Sequence, residues 1–459
     1  MLLLVPRRAV LRVGGSSKDA ARQFLQGLCT QDMFRWPSST TTESQVHQVV
    51  PRTRSAAAAF LNPKGRVLCD VLLQEETTES FLLDCSAETH ASLLKLLKRH
   101  KLRQPLVVED ASGEFVAVAG IRREVLQLLE GDGNATEGVS PAVVGAAPAI
   151  PAARGLFDAS AAFLGVAPPS GGGGNTDTTS THQKHEQQQI SFRDPSWEAR
   201  LQATLDPRTA LLGPRLMVPK EAVAIPASPD TGVDWLYDRL RYTLGVPEGP
   251  ADLTPEKALV HRSNLDLLAF VGFEKGCYTG QELTIRTHHR GQVRRRTAVV
   301  CLKGAAGASP PVSAPAALKP GAKLYRQPPA EPTGTAPLEQ CGELTSVLEG
   351  RVALCSITGW KKEDLKKRED AAADLGEQSG KCRFFCSASD DGEGSVKVLK
   401  DGRVLVGKDD DSSESCVEAA VAGGLMAEVQ LLVPPYMYGN GNGYENETND
   451  ATQERDSGR

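Results

Sequence analysis

The sequence contains no Cys-x-x-Cys pair and no Cys/His spacing of the zinc type, although it has ten cysteines among its 459 residues. Scattered thiols of this kind exclude a zinc finger and are not the framework of a secreted disulfide protein, so a reducing compartment is expected. Cys382 and Cys386 are the nearest pair, and no shared metal site is expected from them. Apolar runs are short as well. None approaches the roughly 20 residues of a membrane helix, so no membrane span is expected, and Leu2 to Val5 is too brief for a signal-peptide core. With 40% hydrophobic and 24% charged residues and a net charge of −5, the balance is that of a globular protein long enough for two or three domains.

One stretch stands out against this background. Phe273 to Glu282 reads Phe-Glu-Lys-Gly-Cys-Tyr-Thr-Gly-Gln-Glu, and Arg286, His288, His289, Arg290, Arg294, Arg295 and Arg296 follow without an intervening acid. A thiolate is the nucleophile and the soft metal ligand, and nearby cations favour it over the thiol. Lys275 and the arginines supply that bias for Cys277. Gly276 and Gly280 leave the backbone free to take positive φ or to lie against a ligand, so Cys277 is expected on a loop as the functional thiol. The two histidines can ligate metal as neutral imidazoles. Read as part of a strand, they point to opposite faces, which leaves one of them, His288, to join Cys277. One Cys and one His are half of a usual cluster coordination, so the other ligands would come from a partner or a small molecule. The basic run holds no aromatic residue and the chain is net negative, so nucleic acid is not the expected partner.

Along the chain, Ala9 to Val13 and Phe115 to Ile121 read as strands, Ser55 to Asp84 as a hairpin about the Asn62-Pro63-Lys64-Gly65 turn, and Lys18 to Leu28 and His90 to His100 as helices. Asp234 to Leu244 reads as a helix capped by Gly245. Short strand-like pieces recur at Ala298 to Leu302, Ala322 to Tyr325, Gly342 to Leu348, Val352 to Ile357, Val396 to Leu399 and Gly424 to Val433, the spacing of a small barrel. Boundaries follow: an N-terminal α+β region at 1–130, a flexible Ala/Pro/Gly/Ser/Thr-rich insertion at 131–189, a second α+β region at 190–296, a barrel-like domain at 297–437 and a disordered tail at 438–459. Arg7, Arg8 and Arg12 precede the first acid, as in a mitochondrial presequence, yet leave no room for one ahead of the first strand. A short internal targeting signal, or one lost from the sequence, is the expectation.

Lys275-Gly276-Cys277-Tyr278-x-Gly280-Gln281-Glu282 resembles the signature of the YgfZ-type folate-binding family, relatives of the glycine-cleavage T-protein. The continuation Leu283 to Gly291, with its histidine pair, is similar to the mitochondrial branch of that family, the iron–sulfur cluster assembly factors of late [4Fe-4S] maturation. Phe24 to Asp32, Phe60 to Asp70, Asp206 to Arg208, Leu212 to Arg215 and Arg239 to Gly249 match further family landmarks, so the resemblance covers roughly half of the chain in blocks. It implies an α+β, T-protein-like fold of several subdomains around a central folate-sized cleft, closed by a C-terminal β-barrel. It also implies tetrahydrofolate as cofactor, with Asp70, Lys275, Gly276, Tyr278, Gly280, Gln281, Glu282 and Arg286 as binding candidates. Cys277 becomes the catalytic or metal-ligating thiol of a transient iron–sulfur cluster shared with an A-type carrier protein, [4Fe-4S] client enzymes become the recipients, and the mitochondrial matrix the location.

Two departures bear on the chemistry. The T-protein strand that corresponds to Arg66 to Asp70 carries paired acids, one of them catalytic, whereas only Asp70 remains here beside Cys69. This argues against aminomethyl transfer and for a protein that is not an enzyme. Relatives also have Pro and Glu where this chain has Val260 and Arg262, and a cation there favours an anionic ligand. The leading expectation is an assembly factor that works through Cys277. The alternatives are a folate-dependent aminomethyl or methyl transferase and a non-catalytic interaction or RNA-binding module.

Overall fold

A computed structural model of the chain describes residues 2–5, 7–15, 19–35, 54–121, 190–225, 234–302, 318–327, 338–348, 350–358, 383–387, 396–398, 404–406, 413–415, 426–432 and 434–438. The expected insertion at 131–189, the stretch Lys361 to Gly380, Cys382 and the tail from Gly439 lie outside the described residues.

The first region runs β1 (Leu2–Leu4), β2 (Arg8–Gly15), α1 (Ala20–Gln26), β3 (Ser55–Leu61), β4 (Val67–Glu75), β5 (Ser80–Ser86), α2 (Ala87–Lys101), β6 (Leu106–Asp110) and β7 (Phe115–Gly120). Five of these strands form an antiparallel sheet in the order β3-β4-β5-β2-β6. The two-residue period of a strand decides what each face meets. Ala9, Leu11 and Val13 of β2, Ala58 and Phe60 of β3 and Val71 and Leu73 of β4 enter a core with Phe24 and Leu25 of α1 and Leu93 and Leu97 of α2. Ala57, Ala59 and Leu61 of β3 turn the other way, onto a second core that includes Tyr237, Leu240 and Phe270. That inner face also carries buried polar groups: Asp70 and Gln74 from β4 and Asp84 from β5.

The second region contributes β8 (Ser191–Phe192), α3 (Pro195–Gln202), β9 (Arg215–Pro219), β10 (Val223–Ala224), α4 (Asp234–Thr243), the short α5 (Gly249–Asp252) and α6 (Gln281–Arg290). Strand β7 pairs antiparallel with both β1 and β9, so one three-stranded sheet joins the two regions. Gln74 ties them again, donating to the Met217 carbonyl and accepting from its N–H. Helix α4 ends where its glycine requires, at Gly245 with φ of 67°.

A closed six-stranded barrel follows, with β11 (Arg295–Leu302), β12 (Lys323–Gln327), β13 (Glu339–Leu348), β14 (Val352–Thr358), β15 (Arg383–Ser387) and, last in the chain, β19 (Met426–Leu432). Its order is β11-β14-β13-β12-β15-β19, closed by pairing of β19 with β11. The expected piece at Val396 to Leu399 is not a barrel strand. It is β16 (Val396–Val398), which pairs with β17 (Val404–Val406) and β18 (Ser413–Ser415) in a separate small sheet. Its place in the barrel goes to β15, which carries Cys386 into the barrel core with Phe384 packed against it, while the neighbouring Phe385 is also buried.

Candidate functional site

Cys277 is exposed, whereas the other seven described cysteines are buried. It sits on the expected loop, which is anchored at both ends. Gly272 N donates to Thr30 O at 3.0 Å and Thr279 N to Gly27 O at 3.0 Å, and Lys275 Nζ reaches Gln26 O, Cys29 O and Gln31 O at 2.7, 2.7 and 2.8 Å. All three ammonium donors are thus committed to main-chain carbonyls just past the C-terminus of α1, where a cation is favoured. Lys275 is therefore the anchor of the loop rather than the activator of its thiol, and burial lowers its pKa from the ordinary value. The buried Tyr278 ring packs under the ammonium at 4.7 Å, and Gln281 Oε1 accepts from Tyr278 N at 3.2 Å.

The two glycines differ. Gly280 is left-handed with φ of 78°, and a Cβ there would lie 2.3 Å from Asn62 O. Gly276 is not in the positive-φ region, and a Cβ on it would meet nothing within 4 Å. It leaves open space next to the thiol.

His288 and His289 lie on helix α6, not on a strand. Glu282 in its first turn and His288, His289 and Arg290 in its last complement the helix dipole. The His288 ring stacks on Phe273 with centroids 3.6 Å apart, and among the described residues no group of three or more His, Cys, Asp or Glu gathers to hold a metal ion. The basic run is likewise divided. Arg286 and Arg290 are exposed on the helix, whereas Arg296 is buried in a bidentate pair with Asp266 at 2.6 and 3.0 Å.

Asp70 belongs to a different place. It is buried, accepts from Gly249 N at 3.0 Å and faces Arg8 at 4.0 Å. Burial pushes its pKa up and the Arg8 guanidinium only partly offsets this. Around it is a network that sequence reading missed. Arg8 pairs with Asp84 and Glu248 at 2.6 and 3.3 Å, Arg208 with Asp206 and Glu248 at 2.7 and 2.5 Å, and Arg215 with Asp84 and Glu248 at 2.5 and 3.1 Å. Tyr237 donates to Glu248 at 2.7 Å. Burial works against the charged form of Glu248, yet Arg215, Arg8 and Arg208 hold its carboxyl well below the usual range. The alternation of Arg8 with apolar neighbours in β2 was the one local signal of this polar face.

The residues expected to hold tetrahydrofolate are thus separately occupied. Asp70 is taken by Gly249 and Arg8, Lys275, Tyr278, Gly280 and Gln281 hold the loop together, and Glu282 and Arg286 are exposed and 4.0 Å apart. Among the described residues no hydrogen bond or ion pair joins Asp70 to the loop.

Fold and site define a class: an α+β protein with a closed barrel that presents, among its described residues, one exposed cysteine on an anchored loop. No protein-family model matches the chain. It is similar to the mitochondrial iron–sulfur cluster assembly factor IBA57 of Mus musculus, 33% identical over 315 residues, which are 66% of this chain and 67% of that protein. The Homo sapiens protein of the same name is 33% identical over 293 residues, 63% of each chain. The homolog from Mycosarcoma maydis is 27% identical over 318 residues, 68% of this chain and 59% of its own. The chain belongs to the family of the mitochondrial iron–sulfur cluster assembly factor IBA57. It is a mitochondrial protein by that membership, and it spans roughly three fifths to two thirds of these relatives' lengths. Among solved structures, the glycine cleavage system aminomethyltransferase T from Bartonella henselae covers 95% of this chain and 86% of its own, with 13% identity and a TM-score of 0.43. A likeness of that size assigns nothing.

Proposed function

We propose that this protein is an iron–sulfur cluster assembly factor whose Cys277 thiolate takes one coordination position on a cluster otherwise held by an A-type carrier protein, on the way to [4Fe-4S] client enzymes. The observation that carries this reading is a lone exposed thiol on a doubly anchored loop, with every other described cysteine buried. Clusters are commonly held by four thiolate or imidazole ligands. A single cysteine therefore suits a cluster shared across two proteins, with the cluster as cargo. In the exchange, Cys277 Sγ releases its proton to solvent and forms an Fe–S bond. One carrier ligand leaves that iron and takes up a proton, and no electron is transferred.

The open space beside Gly276 lets a partner's backbone come close to the thiol. Exposed Arg286 and Arg290 on α6 would steer an acidic partner surface towards it. The proposed role is non-enzymatic, since Asp70, the acid expected to serve transfer chemistry, is buried and engaged. Tetrahydrofolate enters as a ligand implied by family resemblance, and no step of the cluster exchange runs through it. The test in cells is replacement of the protein by its Cys277→Ser variant. Loss of [4Fe-4S] enzyme activity at unchanged protein level is expected, and normal activity would overturn the proposal.

A further inference from the structure

A cavity of about 620 Å³ opens between the Asn62–Arg66 turn and the segment that runs from Glu256 to Arg262. Four cations line it, Lys64, Arg66, Lys257 and Arg262, against one carboxylate, Glu256. The Arg66 guanidinium donates to a main-chain oxygen, Lys257 O at 2.9 Å, and none of the four cations pairs with a carboxylate of another described residue. Burial lowers the Arg262 pKa, and Arg295 and Arg66 lower it further by repulsion, against a smaller opposing effect of Glu343. Like charges gathered without counter-charge in a concave wall raise the local concentration of anions.

The walls are built in advance. Asn62 Oδ1 accepts from Lys64 N and Arg66 N, both at 3.0 Å. Val67 N donates to Ala258 O at 3.0 Å, Glu256 N donates to Val67 O at 2.8 Å, and Arg66 bridges to Leu259. Binding would therefore cost little ordering of the backbone. The depression is open to solvent, with Lys64, Glu256 and Lys257 exposed, and its volume would admit a small ligand bound chiefly by charge. The same turn supports the functional loop, because Asn62 O fills the space beside Gly280, three residues after Cys277, and Gly65 packs on Leu283.

We propose that this cavity binds a small multivalent anion, an organic molecule with two or three carboxylate or phosphate groups, on Lys64, Arg66, Lys257 and Arg262. The site stands independently of cluster transfer, since none of these residues is a cluster ligand. Its place against the Gly280 end of the Cys277 loop makes it a second recognition point adjoining that loop.

The test is calorimetric titration of the full chain with tripolyphosphate and with citrate at low and physiological salt, with acetate as the monovalent control and pentaglutamate as a model acidic peptide. Tripolyphosphate or citrate should bind in preference to acetate, and more weakly as salt rises. Arg262→Ala and Lys64→Ala should each weaken binding about tenfold or more, whereas Lys95→Ala on helix α2 and Cys277→Ser should leave it unchanged. Equal binding by wild type and both cavity variants, or no preference for multivalent anions, would overturn the proposal. Binding of pentaglutamate with tripolyphosphate and citrate inert would overturn the small-molecule assignment and point to an acidic protein segment.

Discussion

Lys275 Nζ lies 2.7 Å from the main-chain oxygen of Cys29, so a residue two positions before the exposed thiol is fixed to the chain some 250 residues earlier. The loop that carries Cys277 is thus held from within the first region, and its geometry depends on a part-buried cation that donates to three main-chain oxygens.

Replacing Lys275 with methionine removes three hydrogen bonds and leaves their carbonyls, at Gln26, Cys29 and Gln31, without this donor. A loss of about 2–3 kcal/mol is expected, read as a lower urea midpoint at unchanged slope. The same variant should speed alkylation of Cys277 if loosening frees the loop.

Gly280→Ala and Gly276→Ala should separate cleanly. At Gly280 a Cβ meets Asn62 O at 2.3 Å and Leu61 Cβ at 2.8 Å on a left-handed backbone, so a cost above about 2 kcal/mol is expected. At Gly276 a Cβ meets nothing within 4 Å, so stability should stay within about 0.5 kcal/mol of wild type. Thermal melts of the two variants side by side check the contrast.

Asp70 and Glu248 share a network yet have opposite pH linkage. Burial raises the folded Asp70 pKa above its ordinary 3.8, so the folded state binds more protons there and stability from this group falls as pH rises through that window. Asp70→Asn, which keeps an acceptor for Gly249 N, should be neutral or up to about 1 kcal/mol more stable at pH 7. The folded Glu248 pKa lies below its ordinary 4.5 through Arg215, Arg8 and Arg208, despite burial. Its stabilisation is full above the ordinary value and is lost as pH falls through the folded one. Glu248→Gln should cost about 3–5 kcal/mol at pH 7, because it leaves buried guanidiniums short of a partner. Denaturation series from pH 3 to 7 distinguish the two signs.

Much of the first region was legible because short, largely apolar runs flank a turn that carries glycine, as at Ser55–Leu61 and Val67–Glu75 about Asn62 to Gly65. The exposed setting of Cys277 was legible too, from the glycines around it. The helix Gln281–Arg290 was misread through its histidine pair, although an acid in its first turn and bases in its last are ordinary helix signals. The buried network could not be read locally, since Arg215 and Asp84 are 131 residues apart and only packing brings them together. Strand Arg383–Ser387 has five residues, too few for alternation alone to single it out.

The most direct measurement is anaerobic mixing of the purified protein with a cluster-loaded A-type carrier, with visible absorption and complex size recorded for wild type and Cys277→Ser. A heteromeric complex whose chromophore is present with the thiol and absent with the serine is the predicted result. The same complex and spectrum from both proteins, or neither from wild type, would contradict a role for Cys277 as a shared cluster ligand.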